Sequence, residues 1–443
     1  MKLKPISFLL AMTLAPWAHG VDLLDAYHAA QGQDSVFAAA RASHQAGQEK
    51  LTQGRALLLP NVNLVANSNF NDLVTNSATN ARFGLPNPYN SRYNSHGYSV
   101  SLVQPLFRPQ NWLAYSQSEL QVAIADAQFR AAEQELVLRV AQTYFDVLMA
   151  QDNVQLAEAQ KTAIAEQLAQ AKRNFEVGSA TVTDVYEAQA RHDLINSQQI
   201  AAQSNLLIKR RALQQLTGST SDELRALNQE LKLDPPQPAV MSSWIETASQ
   251  NNPQVTAAQA GAELADKEAT RNMAGHAPTA DLVASYGQNY ANGGSFGVGS
   301  DVRSTVVGVQ VTVPIFQGMA TQSRWREAEA NRERARQDLE TARRNVELQT
   351  QQAYLGVESG IAQVGALQQA LKSSSSLLDA SKLGQEVGVR TNLDVLNAQQ
   401  QLYATRRDLY QAEYNFLMSR LRLKAAAGDL SEADLASVNQ ALY

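Results

Sequence analysis

The stretch EVGVRTNLDVLNAQ, residues 386–399, is written once before, 210 positions earlier, as EVGSATVTDVYEAQ, residues 176–189. In each copy a glycine, Gly178 or Gly388, breaks a helical run, and a Thr-x-x-Asp sequence restarts one as an N-terminal cap. The duplicated stretch therefore reads as the turn of a helical hairpin, used twice.

The flanking sequence agrees with helices on both sides. From Gln110 to Val177 there is no glycine or proline, and alanine, leucine, glutamine, glutamate and arginine dominate. About 68 helical residues make a rod of about 100 Å, a length that no compact domain needs. Further helical runs extend over Ser179–Thr217, Met319–Leu355 and Val389–Ala427, and Asp22–Gln53 reads as a shorter stretch interrupted at Gly32 and Gly47.

Two regions change period. NVNLVANSNF, from Asn61, puts Val62, Leu64, Ala66 and Phe70 on one face and Asn61, Asn63, Asn67 and Asn69 on the other, and GYSVSLV, from Gly97, alternates Tyr98, Val100 and Leu102 with serines. These are strands at about 61–71 and 97–104, joined by a polar loop with Asn80, Gly84, Pro86, Pro88 and Asn90. The plan recurs as strands at about 280–290 and 304–313 around NGGSFGVGS, residues 292–300. That glycine-rich run lies between strands and opens no helix, so it reads as an external loop rather than a phosphate cradle. One apolar face and one small or polar face suit a strand between lipid and a watery lumen. Pro105 and Pro314 are expected to end strands, and Tyr98, Tyr286, Phe107 and Phe316 mark strand ends.

At or near the same offset VSLVQPLF, ending at Phe107, pairs with VQVTVPIF, ending at Phe316, and Tyr144 pairs with Tyr354. The chain after residue 20 is thus two repeats of helix, strand, strand, long helix, turn, helix. Repeat 1 covers 21–218 with its tip at 177–180, and repeat 2 covers 246–428 with its tip at 387–390. A linker at 219–245 and a C-terminal segment at 429–443 complete the chain.

Composition narrows the class. Of 443 residues, 44% are hydrophobic and 18% charged, the net charge is −5, and there is no cysteine. No basic run tracks a phosphate backbone, so nucleic acid is excluded as a partner class. Without cysteine there are no disulfides, thiol nucleophiles or thiolate metal sites. The histidines lack helical ligand spacing, and no metal or cofactor is expected. MKLKPISFLLAMTLAPWAHG reads as a secretory signal peptide over 1–20, cleaved after Gly20. No later stretch has the apolar length of a membrane-spanning helix, so a membrane location would require a β-barrel.

Taken together, LLLPNVNL near residue 60, QPLF at 104–107, NFEVGSATVTDVYEAQA at 174–190 and QEVGVRTNLDVLNAQQQLY at 385–403 resemble the TolC-type outer-membrane efflux and type I secretion channels of Gram-negative bacteria. The resemblance covers nearly the whole chain after residue 20. It implies a mainly α-helical protein with a β-barrel part. Three subunits, with four strands each, would share a twelve-strand outer-membrane barrel that continues as a helical tunnel across the periplasm. Four strands cannot close a barrel alone, which gives the homotrimer a physical reason. The implied partners are a periplasmic adaptor, an inner-membrane transporter of ABC or proton-driven type, and outer-membrane lipid. The implied function is a passive exit duct for small toxic compounds or an unfolded polypeptide.

Residue roles carried over from that resemblance fall at the two tips. The gate would comprise Arg390, its partners Thr183 and Asp184, and Gln385, which stands where close relatives have a tyrosine. The selectivity ring would comprise Asp394 and Asn397, where the family pattern has two aspartates. That change implies about three carboxylates around the constriction instead of about six, and weaker cation selectivity. Val177, Gly178, Val387 and Gly388 would form the adaptor-docking tips. Asp184 and Asp394 also fit the plainer role of helix caps, and Arg390 that of a solvated charge. A structural coiled-coil protein of the periplasm or surface would share the long helices but lack the paired strands, and no catalytic constellation supports an exported enzyme.

Overall fold

The computed structural model describes residues 21–79, 82, 84, 86–219, 223–228, 231–294, 297–440 and 442. The expected signal peptide at 1–20, Asn80 of the polar loop, and Ser295 and Phe296 of the glycine-rich run lie outside the described residues. The elements run in the order α1 (Leu23–Gln33), α2 (Ser35–Ala56), β1 (Asn61–Thr75), β2 (Tyr89–Phe107), α3 (Pro109–Glu176), α4 (Val182–Thr217), α5 (Met241–Asn251), α6 (Pro253–Met273), β3 (Thr279–Ala291), β4 (Ser300–Thr312), α7 (Ala320–Glu386), α8 (Asn392–Ala426) and α9 (Glu432–Asn439). They divide between two compact units.

One unit comprises residues Ala42–Phe129 and Pro253–Arg344. Its strands form one antiparallel sheet in the order β1-β2-β3-β4, with β1 and β4 as edges. Register converts the alternation in each strand into two continuous faces. Val62, Leu102, Ala284 and Val307 stand side by side on one face, as do Leu64, Val100, Tyr286 and Thr305. Asn63, Ser101, Ser285 and Val306 share the other face with Asn67, Gly97 and Asn289. The apolar face is bare: Leu64 and Phe70 are each 69% exposed and Val307 70%. An apolar face of this size is suited to hydrocarbon, not to water.

The strands reach further than their alternation does. Thr75 pairs with Tyr89, so ladder hydrogen bonding carries β1 and β2 through Asp72, Arg92 and Asn94, beyond the expected ends of both strands. Pro105 does not end β2; it lies inside the strand at a register shift between Pro105 and Phe107, where a missing N–H is tolerated. Directly after β2, Arg108 makes a two-pronged ion pair with the buried Asp281 of β3, Nε to Oδ1 at 2.7 Å and Nη2 to Oδ2 at 2.6 Å. The helices of this unit pack closely. A Cβ on Gly47 would lie 2.4 Å from that of Ala125, so Gly47 does not interrupt α2 but admits α3 against it. His44 bonds Asp126 at 2.7 Å between the same two helices, and Gln117 bonds Glu268 at 2.8 Å between α3 and α6.

The other unit comprises residues up to Arg41, Arg130–Asn252 and Asn345 onward. Its core holds Leu136, Val140, Tyr144 and Phe145 of α3 with Leu23 and Ala30 of α1, and Phe416, Leu417 and Leu421 of α8. The repeat is visible at single-atom level: Tyr144 Oη lies 3.0 Å from the Val21 carbonyl and 3.1 Å from that of Arg225, and its counterpart Tyr354 donates to the Ala239 carbonyl at 2.6 Å. Each tyrosine thus pins an extended segment to a long helix. The break between α1 and α2 falls at Asp34, not Gly32. The extended Asp34 accepts from the Phe37 amide and pairs with Arg139. Likewise α7 does not stop near Leu355 but passes through Gly356 and Gly360, where a Cβ would meet Ser419 and Phe416 at 3.5 and 3.4 Å. Neither glycine ends the helix, and a Cβ at either would make only ordinary van der Waals contact. Helix α9 closes the C-terminal segment, tied back to the start of α1 by Asn439, which accepts from the Leu23 amide and donates to Asp22, both at 3.0 Å.

Candidate functional site: the two hairpin tips

Both tips belong to the second unit and are built alike. At the end of α3 the amides of Val177, Gly178 and Ser179 donate to the carbonyls of Arg173, Phe175 and Asn174; at the end of α7 those of Val387, Gly388 and Val389 donate to Leu383, Gln385 and Gly384. Every donor and acceptor is displaced by 210 positions, so the sequence repeat is a hydrogen-bond repeat. Gly178 and Gly388 have φ of 76° and 79°, the left-handed conformation that ends helices and that a side chain disfavours. Thr181 and Thr391 then cap α4 and α8. Asp184 and Asp394 close each capping box, accepting from the threonine amide at 2.9 Å and from its hydroxyl at 2.8 Å.

The carboxylates of Asp184 and Asp394 are therefore caps within the protomer. The Thr391 amide, then its hydroxyl, with Arg390 adding to them, hold the Asp394 carboxyl below its usual range. Arg390 lies with Nη1 3.8 Å from Asp394 Oδ1, and its side chain is 54% exposed. A lone exposed pair at that distance contributes little to stability, and it leaves most of the guanidinium fork unused. Among the described residues, no hydrogen bond or ion pair joins Arg390 to Thr183 or Asp184 of the same chain. Thr183 is exposed on the first turn of α4. Gln385 turns back within its own hairpin, its amide 3.4 Å from Asn392 Oδ1.

Two residues of this region escaped the sequence reading. Gly384 is the acceptor for both the Val389 and the Arg390 amides, and a Cβ there would lie 2.6 Å from Arg390 Cγ. The missing side chain lets the arginine stem lie across the last turn of α7. Arg191, on α4, reaches α8 and donates Nη2 to Asn397 Oδ1 at 3.1 Å and Nη1 to Gln400 Oε1. The only sequence signal for Gly384 was a glycine inside a helical run, and Arg191 had none.

The first hairpin and α8 meet in an apolar cluster of Leu168, Ala171, Ala188 and Leu396, flanked by Val185. A second cluster, Leu378, Val395, Ala398 and Leu402, binds α7 to α8. The tips themselves expose apolar side chains, with Val177 77%, Val387 65% and Val389 76% exposed. Farther along α8, Tyr414 donates to Asp152 of α3 at 2.6 Å, and burial, then the Asp152 charge, pushes the neighbouring Glu413 up to about 7. Among the described residues no helix is long and apolar enough to cross a membrane, and no cluster of three or more His, Asp or Glu side chains could hold a metal ion.

Comparison with known proteins points one way. A family model described as outer membrane efflux protein matches twice, over residues 26–219 and 244–429. Outer membrane protein TolC of Vibrio cholerae is 33% identical over 433 residues, 97% of this chain and 95% of its own length. Alkaline protease secretion protein AprF of Pseudomonas aeruginosa is 34% identical over 422 residues, 94% of this chain and 86% of its own. Among solved structures, the CmeC outer membrane channel of Campylobacter jejuni superposes with a TM-score of 0.79 at 14% identity, over all of this chain and 98% of that one.

Proposed function

The chain belongs to the outer membrane efflux protein family, and from that premise we propose that its two hairpin tips are the gate and the docking end of an export duct. The protein is an outer-membrane exit channel that extends into the periplasm and serves efflux or type I secretion. Channels of this type are homotrimers that work with adaptor proteins and inner-membrane transporters. The family is one of channels rather than enzymes, and no catalysis is assigned to this chain.

The sheet gives the trimer its reason. Four strands with two free edges and a bare apolar face cannot close; three copies supply a twelve-strand barrel, above the size at which side chains fill the interior. The asparagine and serine face then lines the lumen. That face carries no charge from Asn61 to Asn69 or at the residues paired with it, so the strands offer little electrostatic selection.

Selection and closure belong at the tips. The observation that carries the gate reading is the unused fork of Arg390, held over Gly384 and tethered only loosely to Asp394. In the closed trimer it bonds Thr183 and Asp184 of a neighbouring subunit, with Gln385 as a weaker companion. Asp394 supplies about three carboxylates to the ring, and Asn397 none. The exposed valines around Gly178 and Gly388 receive the periplasmic adaptor. Similarity to both a TolC and a protease secretion protein leaves the cargo as a drug or a polypeptide, and the transporter as ABC or proton-driven.

Single-channel recording tests this. The trimer, purified from outer membranes, is expected to show a small conductance in a planar bilayer, and Arg390→Ser to raise it several-fold. Conductance unchanged by the substitution would remove Arg390 from the gate.

A further inference from the structure

We propose that Arg191 is a specificity-determining residue of the constriction: it bridges the two hairpins of one protomer through Asn397 and Gln400 and places a positive charge at the ring level. The inference rests on the reading of Asp394 and Asn397 as that ring. Asn397 stands one turn beyond Asp394, and Gln400 one turn beyond Asn397, so the three form a stripe along α8. Arg191 is half-buried on α4, one turn past Ala188, which is fully buried against Leu168, Ala171 and Leu396. It therefore lies just beyond the apolar seam where α4 and α8 touch. Past that seam an open groove of about 560 Å³, lined by Gln160, Gln198, Asn205, Gln400 and Tyr403, lies among α3, α4 and α8. The Arg191 bridge spans its end.

Its partners are two neutral amide oxygens, and none of the ion pairs among the described residues includes Arg191. The guanidinium charge is thus fixed in place without a compensating carboxylate. An aspartate at 397 would neutralise it; the asparagine holds it and leaves it expressed. Substitution at this position accordingly does more than delete a negative charge. Each protomer sets Arg191 against Asp394, and the ring approaches neutrality. A neutral amide contact is also weaker than a charge-assisted pair, so the bridge can release when the hairpins part.

The test uses the full trimer in planar bilayers under a KCl gradient, reading conductance and the cation-to-anion permeability ratio. Asn397→Asp is expected to raise the ratio about twofold, because the new carboxylate neutralises Arg191 and leaves Asp394 uncompensated, and to lower the conductance by tightening the bridge. Arg191→Gln, with the same net ring charge, is expected to raise the ratio to a similar extent without lowering the conductance, and the double variant to raise it further than either alone. Arg191→Lys keeps the charge without the fork, so it should hold the ratio and raise the conductance. An Arg191→Gln ratio no different from the native one, in a protein where Asp394→Asn does lower it, would overturn the inference while leaving the ring intact. Should Asp394→Asn leave the ratio unchanged, the ring reading and this inference fall together.

Discussion

Gly384→Ala separates the gate from the stability of the hairpin. A methyl group at this position lies 2.6 Å from Arg390 Cγ and 3.2 Å from its Cβ, where ordinary carbon contacts need about 3.5 Å or more. The arginine stem must move by about 1 Å, at a rotamer cost of about 0.5–1.5 kcal/mol. Alanine in a helix is favoured over glycine by about 0.5–1 kcal/mol, so the two effects nearly cancel. The folded trimer should therefore keep its thermal midpoint within a few degrees. The gate has no such compensation. A displaced fork loses the geometry on which two-pronged bonding depends, and each charge-assisted bond contributes about 1.5–3 kcal/mol, so conductance should rise several-fold although every charge is retained. The assay is single-channel recording paired with thermal unfolding of the same preparation. Unchanged conductance, in a preparation where Arg390→Ser does raise it, would refute the claim that Gly384 positions the latch.

Two further outcomes follow from other parts of the chain. Glu413 is held up to about 7, mainly by burial, whereas an unfolded glutamate releases its proton near 4.5. Its contribution to stability is therefore fully present below 4.5, declines as pH rises through 7 and is flat above; after allowance for partial exposure it amounts to about 1–2 kcal/mol. Thermal unfolding from pH 5 to 8 should show this decline, and Glu413→Gln should flatten most of it; an equal slope in both proteins would contradict the assignment. Arg108→Ala leaves Asp281 buried and unpaired at the start of β3, at a cost of about 1–3 kcal/mol. The barrel unit should lose heat resistance on gels while the double variant Arg108→Ala/Asp281→Asn recovers part of it, and no loss in the single variant would show the pair to be dispensable.

The hairpin turns could be read from sequence because their physics is local. A glycine with positive φ and a threonine–aspartate capping box act within seven residues, and the repeat wrote both twice. Strand existence was equally plain, since alternation is local too. Strand length was not: Asp72, Arg92 and Asn94 are in the ladder only because a partner strand lies in register opposite them. Gly47, Gly356 and Gly360 look like helix breakers in one dimension, yet α2 and α7 run through them, and at Gly47 the bare backbone makes room for Ala125, a residue that sequence does not place beside it. The same holds at the proposed gate. Asp184 and Asp394 carry a capping signal that a sequence shows, but the support of Arg390 by Gly384 and the reach of Arg191 to Asn397 depend on which helices meet.

In the proposed gate the duct closes where Arg390 of one subunit meets Thr183 and Asp184 of another. The chain has no cysteine, so in a variant carrying Thr183→Cys and Arg390→Cys disulfides can form only among the introduced thiols. Non-reducing electrophoresis with bilayer recording on the same sample is the most direct measurement. The expected product is a covalently linked trimer with low conductance that rises several-fold on reduction, since the reduced form lacks the arginine latch. A failure to form links between chains, or a linked trimer that conducts as freely as the reduced one, would contradict the proposed gate.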